Sequence, residues 1–206
     1  MNKVYIIGIG PGAKDYLLPI AKREIQRADC LIGAKRALIL FKHLDKEKIC
    51  LKGDFKKMVR YIKDNKSNKK IVVLVSGDTG LFSFLGQIQY ALGKEEYEVI
   101  PGISSMQLAF ARIGESWQDA KIISLHGRKN INLAKEVKKI EKVFLFTDEE
   151  NSPQKIAAYL INKRIKNRRV IVFDNLSYYN EKIVDTNLKN LSKMKGFGLC
   201  VMIIKL

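Results

Sequence analysis

The residues best placed to do chemistry lie in glycine-rich turns, each following a β pattern. Ser76-Gly77-Asp78-Thr79-Gly80 comes directly after the apolar run Ile71 to Val75. Gly77 and Gly80 can take positive φ and let a ligand approach the backbone, while free amides at the start of a following helix offer hydrogen bonds. Asp78 adds one carboxylate among those amides, able to accept hydroxyls or face a cation. The turn therefore suits a small polar ligand with a positive group, although Ser-Gly-Asp is also ordinary turn chemistry. Gly8-Ile9-Gly10-Pro11-Gly12-Ala13 and Pro101-Gly102-Ile103-Ser104-Ser105 are two more turns of this kind. The first loosely fits a dinucleotide fingerprint. However, Pro11 and Gly12 prolong the loop, and the β segment Cys30 to Gly33 ends without the acidic residue that would hold a ribose, so NAD is not expected.

Leu125-His126-Gly127-Arg128 forms a fourth candidate. An imidazole exchanges a proton near neutral pH, and a guanidinium holds a carboxylate through two parallel hydrogen bonds. Lys35 and Arg36, after Gly33, are weaker candidates for the same carboxylate role. No metal site is expected. His43 and His126 have no Cys or His nearby in sequence, and Cys30, Cys50 and Cys200 are too dispersed for zinc spacing. Their apolar settings predict reduced, buried thiols.

Positioning these turns requires alternating strands and helices. Ile71 to Val75 holds five apolar residues, four of them β-branched, as in a strand buried on both faces at the middle of a parallel sheet. The carboxyl edge of such a sheet is where ligands bind. Before it, β patterns at Lys3 to Ile9, Cys30 to Gly33 and Lys48 to Leu51 alternate with helices from about Asp15, over Ala34 to Lys42 and over Phe55 to Asp64. After it, Leu81, Leu85, Ile88 and Leu92 keep helical spacing, Glu98 to Ile100 gives a strand, and Ser104 or Ser105 caps an almost wholly apolar helix.

No apolar period crosses Gly114 to Asp119, and a new alternation begins at Lys121. Strands at Lys121 to Ser124 and Val143 to Thr147 frame a helix carrying Leu133 and Val137. Ser152 and Pro153 read as a helix cap followed by a first-position proline. Three β segments close the chain, at Val170 to Phe173, Lys182 to Asp185 and Leu199 to Ile204. The chain thus reads as α/β, two domains over 1–114 and 115–206, with a ligand cleft between them.

Among 206 residues, 47% are hydrophobic, which excludes a disordered chain. No apolar run reaches the roughly 18 to 20 residues of a membrane span, and the N-terminus has no signal-peptide pattern, so a cytoplasmic protein is expected. A formal charge of +17, from 38 Lys plus Arg against 21 Asp plus Glu, creates a field that attracts anions such as a polycarboxylate. The basic clusters Lys66 to Lys70 and Lys163 to Arg169 read as solvated corners.

Taken together, Gly8 to Gly12, Ser76-Gly77-Asp78 with Phe82, and Pro101 to Ser105 resemble, in order and spacing, the tetrapyrrole (corrin and porphyrin) methylases. Pro101 to Arg112, Ser116-Trp117-Gln118-Asp119-Ala120 and Ser124 to Arg128 are similar to the members that methylate carbon 5 of cobalt-precorrin-7, or precorrin-6Y, in cobalamin biosynthesis. The resemblance implies the tetrapyrrole methylase fold, a homodimer, and S-adenosyl-L-methionine folded in the cleft, leaving as S-adenosyl-L-homocysteine. By position, Gly10 and Pro11 would border the donor and tetrapyrrole cavity, with Gly12 on the substrate side. Gly77, Asp78 and Phe82 would hold the methionine and ribose part, Ser104 and Ser105 the methionine end, and Thr147, Asp148, Asn175 and Leu176 the adenine. Asp78, balancing the donor's positive charge, and His126, moving a proton, are the candidate catalytic side chains. Arg36 and Arg128 are the candidates for substrate carboxylates.

Thr79 stands where many relatives carry proline, which implies a less rigid loop. The larger fused relative carries a second methylase and decarboxylase domain, for which this chain has no room. Methylation at carbon 15 is therefore expected from a separate protein. Two rival readings are an RNA methyltransferase of the same fold and a non-catalytic tetrapyrrole-binding protein. The absence of an aromatic-interleaved basic stripe speaks against the first, and three intact donor-loop motifs speak against the second.

Overall fold

Runs of β-branched residues, too apolar to leave either face in water, build the first of two compact units, Met1–Ser104 and Ser105–Leu206. The computed structural model describes residues 3–51, 54–127 and 132–206. The first unit runs β1 (Val4–Gly8), α1 (Pro19–Gln26), β2 (Cys30–Gly33), α2 (Lys35–Leu40), β3 (Glu47–Cys50), α3 (Phe55–Asn65), β4 (Ile71–Val75), α4 (Leu85–Ala91) and β5 (Tyr97–Ile100). Its strands lie in the order β3-β2-β4-β1-β5, all parallel, with Gly8 opposite Val75 and Ile7 opposite Ile100. The strand period of two sorts the apolar side chains between the faces. Ile7, Leu31, Val72 and Leu74 pack against Ala21 and Ile25 of α1 and Ala37 of α2. Ile6, Ile32, Val73 and Val75 pack against Met58 and Ile62 of α3 and Ile88 of α4.

The chain leaves β1 toward β2 and β4 toward β5, in opposite directions and over opposite faces of the sheet. β1 and β4 therefore flank the topological switch point where α/β sheets open a crevice. Beyond the strands their ladder continues as an antiparallel bridge, Gly77 N–H to Gly10 carbonyl at 2.8 Å and Gly10 N–H to Gly77 carbonyl at 3.3 Å. Gly102, after β5, presses on the same point. A Cβ on Gly102 would stand 2.3 Å from the Gly77 carbonyl oxygen and 2.7 Å from the carbonyl carbon of Gly8, and one on Gly8 would stand 2.6 Å from the Gly102 nitrogen.

Two helices begin later than their apolar spacing suggested. α1 starts at Pro19, not near Asp15, because the residue before a proline is driven out of the helical region, and Leu18 is extended at φ −61°, ψ 142°. α4 starts at Leu85, not at Leu81, because Phe82 takes φ +50° and breaks the helical path. The loop after β4 is consequently long, and no helix start follows directly on Gly80.

The second unit runs α5 (Ser105–Arg112), β6 (Lys121–Ser124), α6 (Leu133–Lys139), β7 (Lys142–Phe146), α7 (Pro153–Asn162), β8 (Arg169–Asp174), β9 (Lys182–Asn187), α8 (Leu188–Leu191) and β10 (Cys200–Lys205). Its sheet order is β6-β7-β10-β8-β9, with only β6 and β7 parallel. The chain divides before α5, not after it at 114 as the apolar pattern suggests. Buried Phe110 of α5 lies 6.1 Å, ring to ring, from Phe144 of β7. The 115–119 segment is pinned to the same sheet, since Lys142 bonds Asp119 at 3.0 Å and Lys205 pairs with Glu115. Ser152 does precede Pro153 at the start of α7, but its hydroxyl is buried without a hydrogen-bond partner and does not cap.

Cys50 is exposed, unlike Cys30 and Cys200, because it ends the edge strand β3. The basic clusters are also not merely solvated. Lys66 is buried against Glu96, Lys69 bonds Glu47 at 2.7 Å, Lys70 bonds Glu24 at 2.6 Å, and Arg168 is buried with its guanidinium on the Ile140 carbonyl at 2.7 Å. Hydrogen bonds from these lysines hold the carboxyls of Glu24, Glu47 and Glu96 below the usual 4.5. Among the described residues no helix is long and apolar enough to cross a membrane.

Three outcomes are expected. Gly102→Ala should lower unfolding free energy in urea by about 2 to 3 kcal/mol, as overpacking does. Gly86→Ala, with nothing within 4 Å of the added Cβ, should raise it by about 0.5 to 1 kcal/mol through helix propensity. Because the three glutamates have depressed folded pKa values, their contribution is complete above 4.5 and is lost as pH falls through the folded values. The urea midpoint should fall on that acid limb, and fall less steeply in Lys70→Met, where Glu24 has no lysine to lose.

Candidate functional site

The loops after β1, β4 and β5 converge on one point of the first unit, and the bare backbones of Gly8 and Gly102, with Gly77 at φ +71°, make that possible. Asp78 ties two of the loops together. Its Oδ1 accepts the Gly102 amide at 3.2 Å and its Oδ2 the Gly80 amide at 2.7 Å. A carboxylate has about four acceptor directions, so roughly two remain for a ligand. Gly10, Pro11 and Gly12 are buried, with Gly10 at φ +79°, whereas Phe82 stands 43% exposed on the long loop after β4. Ser83 donates its hydroxyl to the carbonyl of buried Thr79, closing that loop on itself. Ser104 is buried at the end of the Pro101 loop, and α5 begins at Ser105. Arg36 is exposed in the first turn of α2, at the carboxyl end of β2 and thus on the same sheet edge.

The candidates in the second unit also gather at one sheet edge. Thr147 follows β7 and is buried, its hydroxyl donating to the Cys200 carbonyl at 2.6 Å. Asp148 accepts the Asn151 amide at 2.6 Å and the Gly127 amide at 2.7 Å. Burial is the largest influence and works against its charge, but the two amides together with the Asn151 side chain hold the carboxyl below its ordinary value. Through Gly127 the carboxylate fixes the turn that carries exposed His126. Arg128 lies outside the described residues. Asn175 and Leu176 follow β8. Asn175 takes φ +50° with its amide on the Leu199 carbonyl at 3.0 Å, and Leu176 is buried. β10 starts between the ends of β7 and β8, so Thr147 and Asn175 sit on either side of Leu199 and Cys200.

Some supporting residues escaped the sequence reading. Asn151 braces Asp148 and reaches the Leu125 carbonyl at 3.0 Å. Asp174 accepts the Gly198 amide at 3.0 Å and the Cys200 thiol at 3.2 Å. Arg112 pairs with Glu181. Asn151, three residues after Asp148, fits an Asx turn and was findable; the other partners are too far apart in sequence to signal each other. No cluster of three or more His, Cys, Asp or Glu suited to a metal exists among the described residues.

The tetrapyrrole (corrin/porphyrin) methylase family model matches residues 3–192. A probable cobalt-precorrin-7 C(5)-methyltransferase of Methanocaldococcus jannaschii is 38% identical over 202 residues, covering 92% of this chain and 91% of that protein. The cobalt-precorrin-7 C(5)-methyltransferase of Salmonella typhimurium is 31% identical over 178 residues, covering 86% and 87%. In fold, the chain matches uroporphyrin-III C-methyl transferase from Thermus thermophilus, solved with S-adenyl homocysteine, at a TM-score of 0.81 with 18% identity, covering 99% of this chain and 97% of that one. With a family model spanning nearly the full length and relatives above 30% identity over most of their own, the chain belongs to the tetrapyrrole methylases.

Proposed function

We propose that this protein transfers a methyl group from S-adenosyl-L-methionine to carbon 5 of cobalt-precorrin-7, or of precorrin-6Y, in cobalamin biosynthesis. It acts as a cytoplasmic homodimer, with carbon-15 methylation and decarboxylation left to a separate protein. The observation that carries the donor assignment is the meeting of three glycine loops around a carboxylate held by amides. The relative at 38% identity supports the substrate.

The first-unit loops fit such a donor. Bare backbone leaves room for close approach, and Asp78 keeps acceptor capacity beside it. The donor supplies an activated sulfonium methyl, so the protein need not provide a covalent nucleophile. Holding methyl and carbon in line is most of its task, and orientation of this kind is worth roughly 7 to 11 kcal/mol in favourable cases. Gly10, Pro11, Gly77 and Phe82 border the donor. Asp78 accepts its hydroxyls and balances its positive charge. Ser104 and Ser105 support the methionine end, and Thr147, Asp148, Asn175 and Leu176 form the adenine edge. Gly12 lies toward the tetrapyrrole, Arg36 and Arg128 take its carboxylates, and the +17 charge draws it in. His126, exposed on a turn fixed by Asp148, moves a proton where one must move.

The test is incubation with methyl-labelled donor and either cobalt-precorrin-7 or RNA. Label is expected on carbon 5 of the corrin; label on RNA alone would overturn the reading, and binding without turnover would make the protein a carrier. Asp78→Asn has one acceptor oxygen for two backbone amides. Calorimetry should show adenosylhomocysteine affinity reduced about ten- to a hundredfold, as when a hydrogen bond to a charged group is lost.

A further inference from the structure

The turn between β8 and β9 is held in a conformation its residues do not favour. Asn175 at φ +50° and Ser177 at φ +75° are both left-handed without being glycine. Such residues persist where surrounding contacts over-determine them. The Tyr178 amide bonds the Asn175 carbonyl at 3.0 Å, and the Glu181 amide bonds the Tyr178 carbonyl at 3.0 Å. The Glu181 side chain then closes the turn, its Oε2 accepting the Ser177 amide at 2.6 Å. Arg112, the last residue of α5, grips the same carboxylate with Nε 2.7 Å from Oε1 and Nη2 3.2 Å from Oε2. A planar guanidinium bound through two nitrogens fixes direction as well as distance, which lysine cannot do.

We propose that Arg112 and Glu181 are positioning residues for the adenine end of the methyl donor, acting through Asn175 and Leu176. This rests on the reading of Asn175 and Leu176 as adenine contacts. α5, which packs through Phe110 on Phe144 of β7, finishes at Arg112, so the clasp ties this turn to a helix anchored on the same sheet.

The test combines calorimetry with adenosylhomocysteine, steady-state kinetics and amide hydrogen exchange on wild type, Glu181→Gln, Arg112→Lys and the double variant. Each single change should weaken adenosylhomocysteine about tenfold, and the double variant scarcely more, because the pair acts as one unit. The donor KM should rise with kcat at saturating donor near wild type, a split that general destabilisation does not produce. Amides of 175–181 should exchange faster. Arg112→Lys retains the charge, so it keeps the test open where Glu181→Gln folds poorly. Unchanged donor affinity in folded variants, whether or not the turn exchanges faster, overturns this inference and leaves the donor reading standing. A wild-type protein that takes up no adenosylhomocysteine overturns both.

Discussion

Three stretches of backbone, separated by up to ninety-four positions between Gly8 and Gly102, come closer together than side chains would permit, and the candidate site of the first unit follows from that approach. The missing Cβ of Gly8 and Gly102, with Gly77 at φ +71°, lets the ends of β1, β4 and β5 close against one another, so their polar backbone groups satisfy each other there. The Gly10–Gly77 bridge consumes one pair of donors and acceptors, and Asp78 takes the amides of Gly80 and Gly102. What remains is a shallow surface of backbone and one carboxylate, offered at the switch point of a parallel sheet. The apolar packing of Ile71 to Val75 on both faces sets the strand positions, and the glycines convert those positions into a site.

Much of this was legible from residue types. A β-branched run ahead of a glycine turn suits a central strand, and β4 is central, flanked by β1 and β2. The period of two and the period of 3.6 located nearly every element. Failures arose where a single backbone torsion outweighed a correct apolar pattern. Leu81 keeps the helical spacing of α4, yet Phe82 at φ +50° makes it loop. Leu17 and Leu18 keep the spacing of α1, yet Pro19 defers the helix. α5 is apolar enough for either unit, and only tertiary contact, Phe110 against Phe144, assigns it. Pairs such as Arg112 with Glu181 have no local signature, because charge alone does not select a partner from 21 acids and 38 bases.

Fold similarity and activity stand on different footing in this family. The same backbone arrangement matches a uroporphyrin-III methylase at 18% identity, so the fold specifies no one tetrapyrrole carbon. The narrower assignment draws on sequence likeness over most of the chain to proteins named for carbon 5. Asp119 and the Ser116 carbonyl sit on Lys142, at the sheet end away from Thr147 and Asn175. Their role in this structure is to pin the 115–119 segment to the second sheet.

The distribution of partners among the acids supports assigning the donor to the first-unit loops. In a chain with a formal excess of 17 positive charges, carboxylates find cations readily: Glu24, Glu47, Glu96, Glu181 and Asp185 each sit in an ion pair with lysine or arginine. Among the described residues, Asp78 is held instead by the amides of Gly80 and Gly102, as Asp148 is by those of Gly127 and Asn151 and Asp174 by that of Gly198. Amides fix a carboxylate's position and stabilise its charge without neutralising it, whereas an arginine would present a bound cation with a spent counter-charge. A half-buried anion of that kind, beside exposed backbone, keeps its field for an incoming positive group, and a sulfonium and an ammonium on one small molecule are such groups.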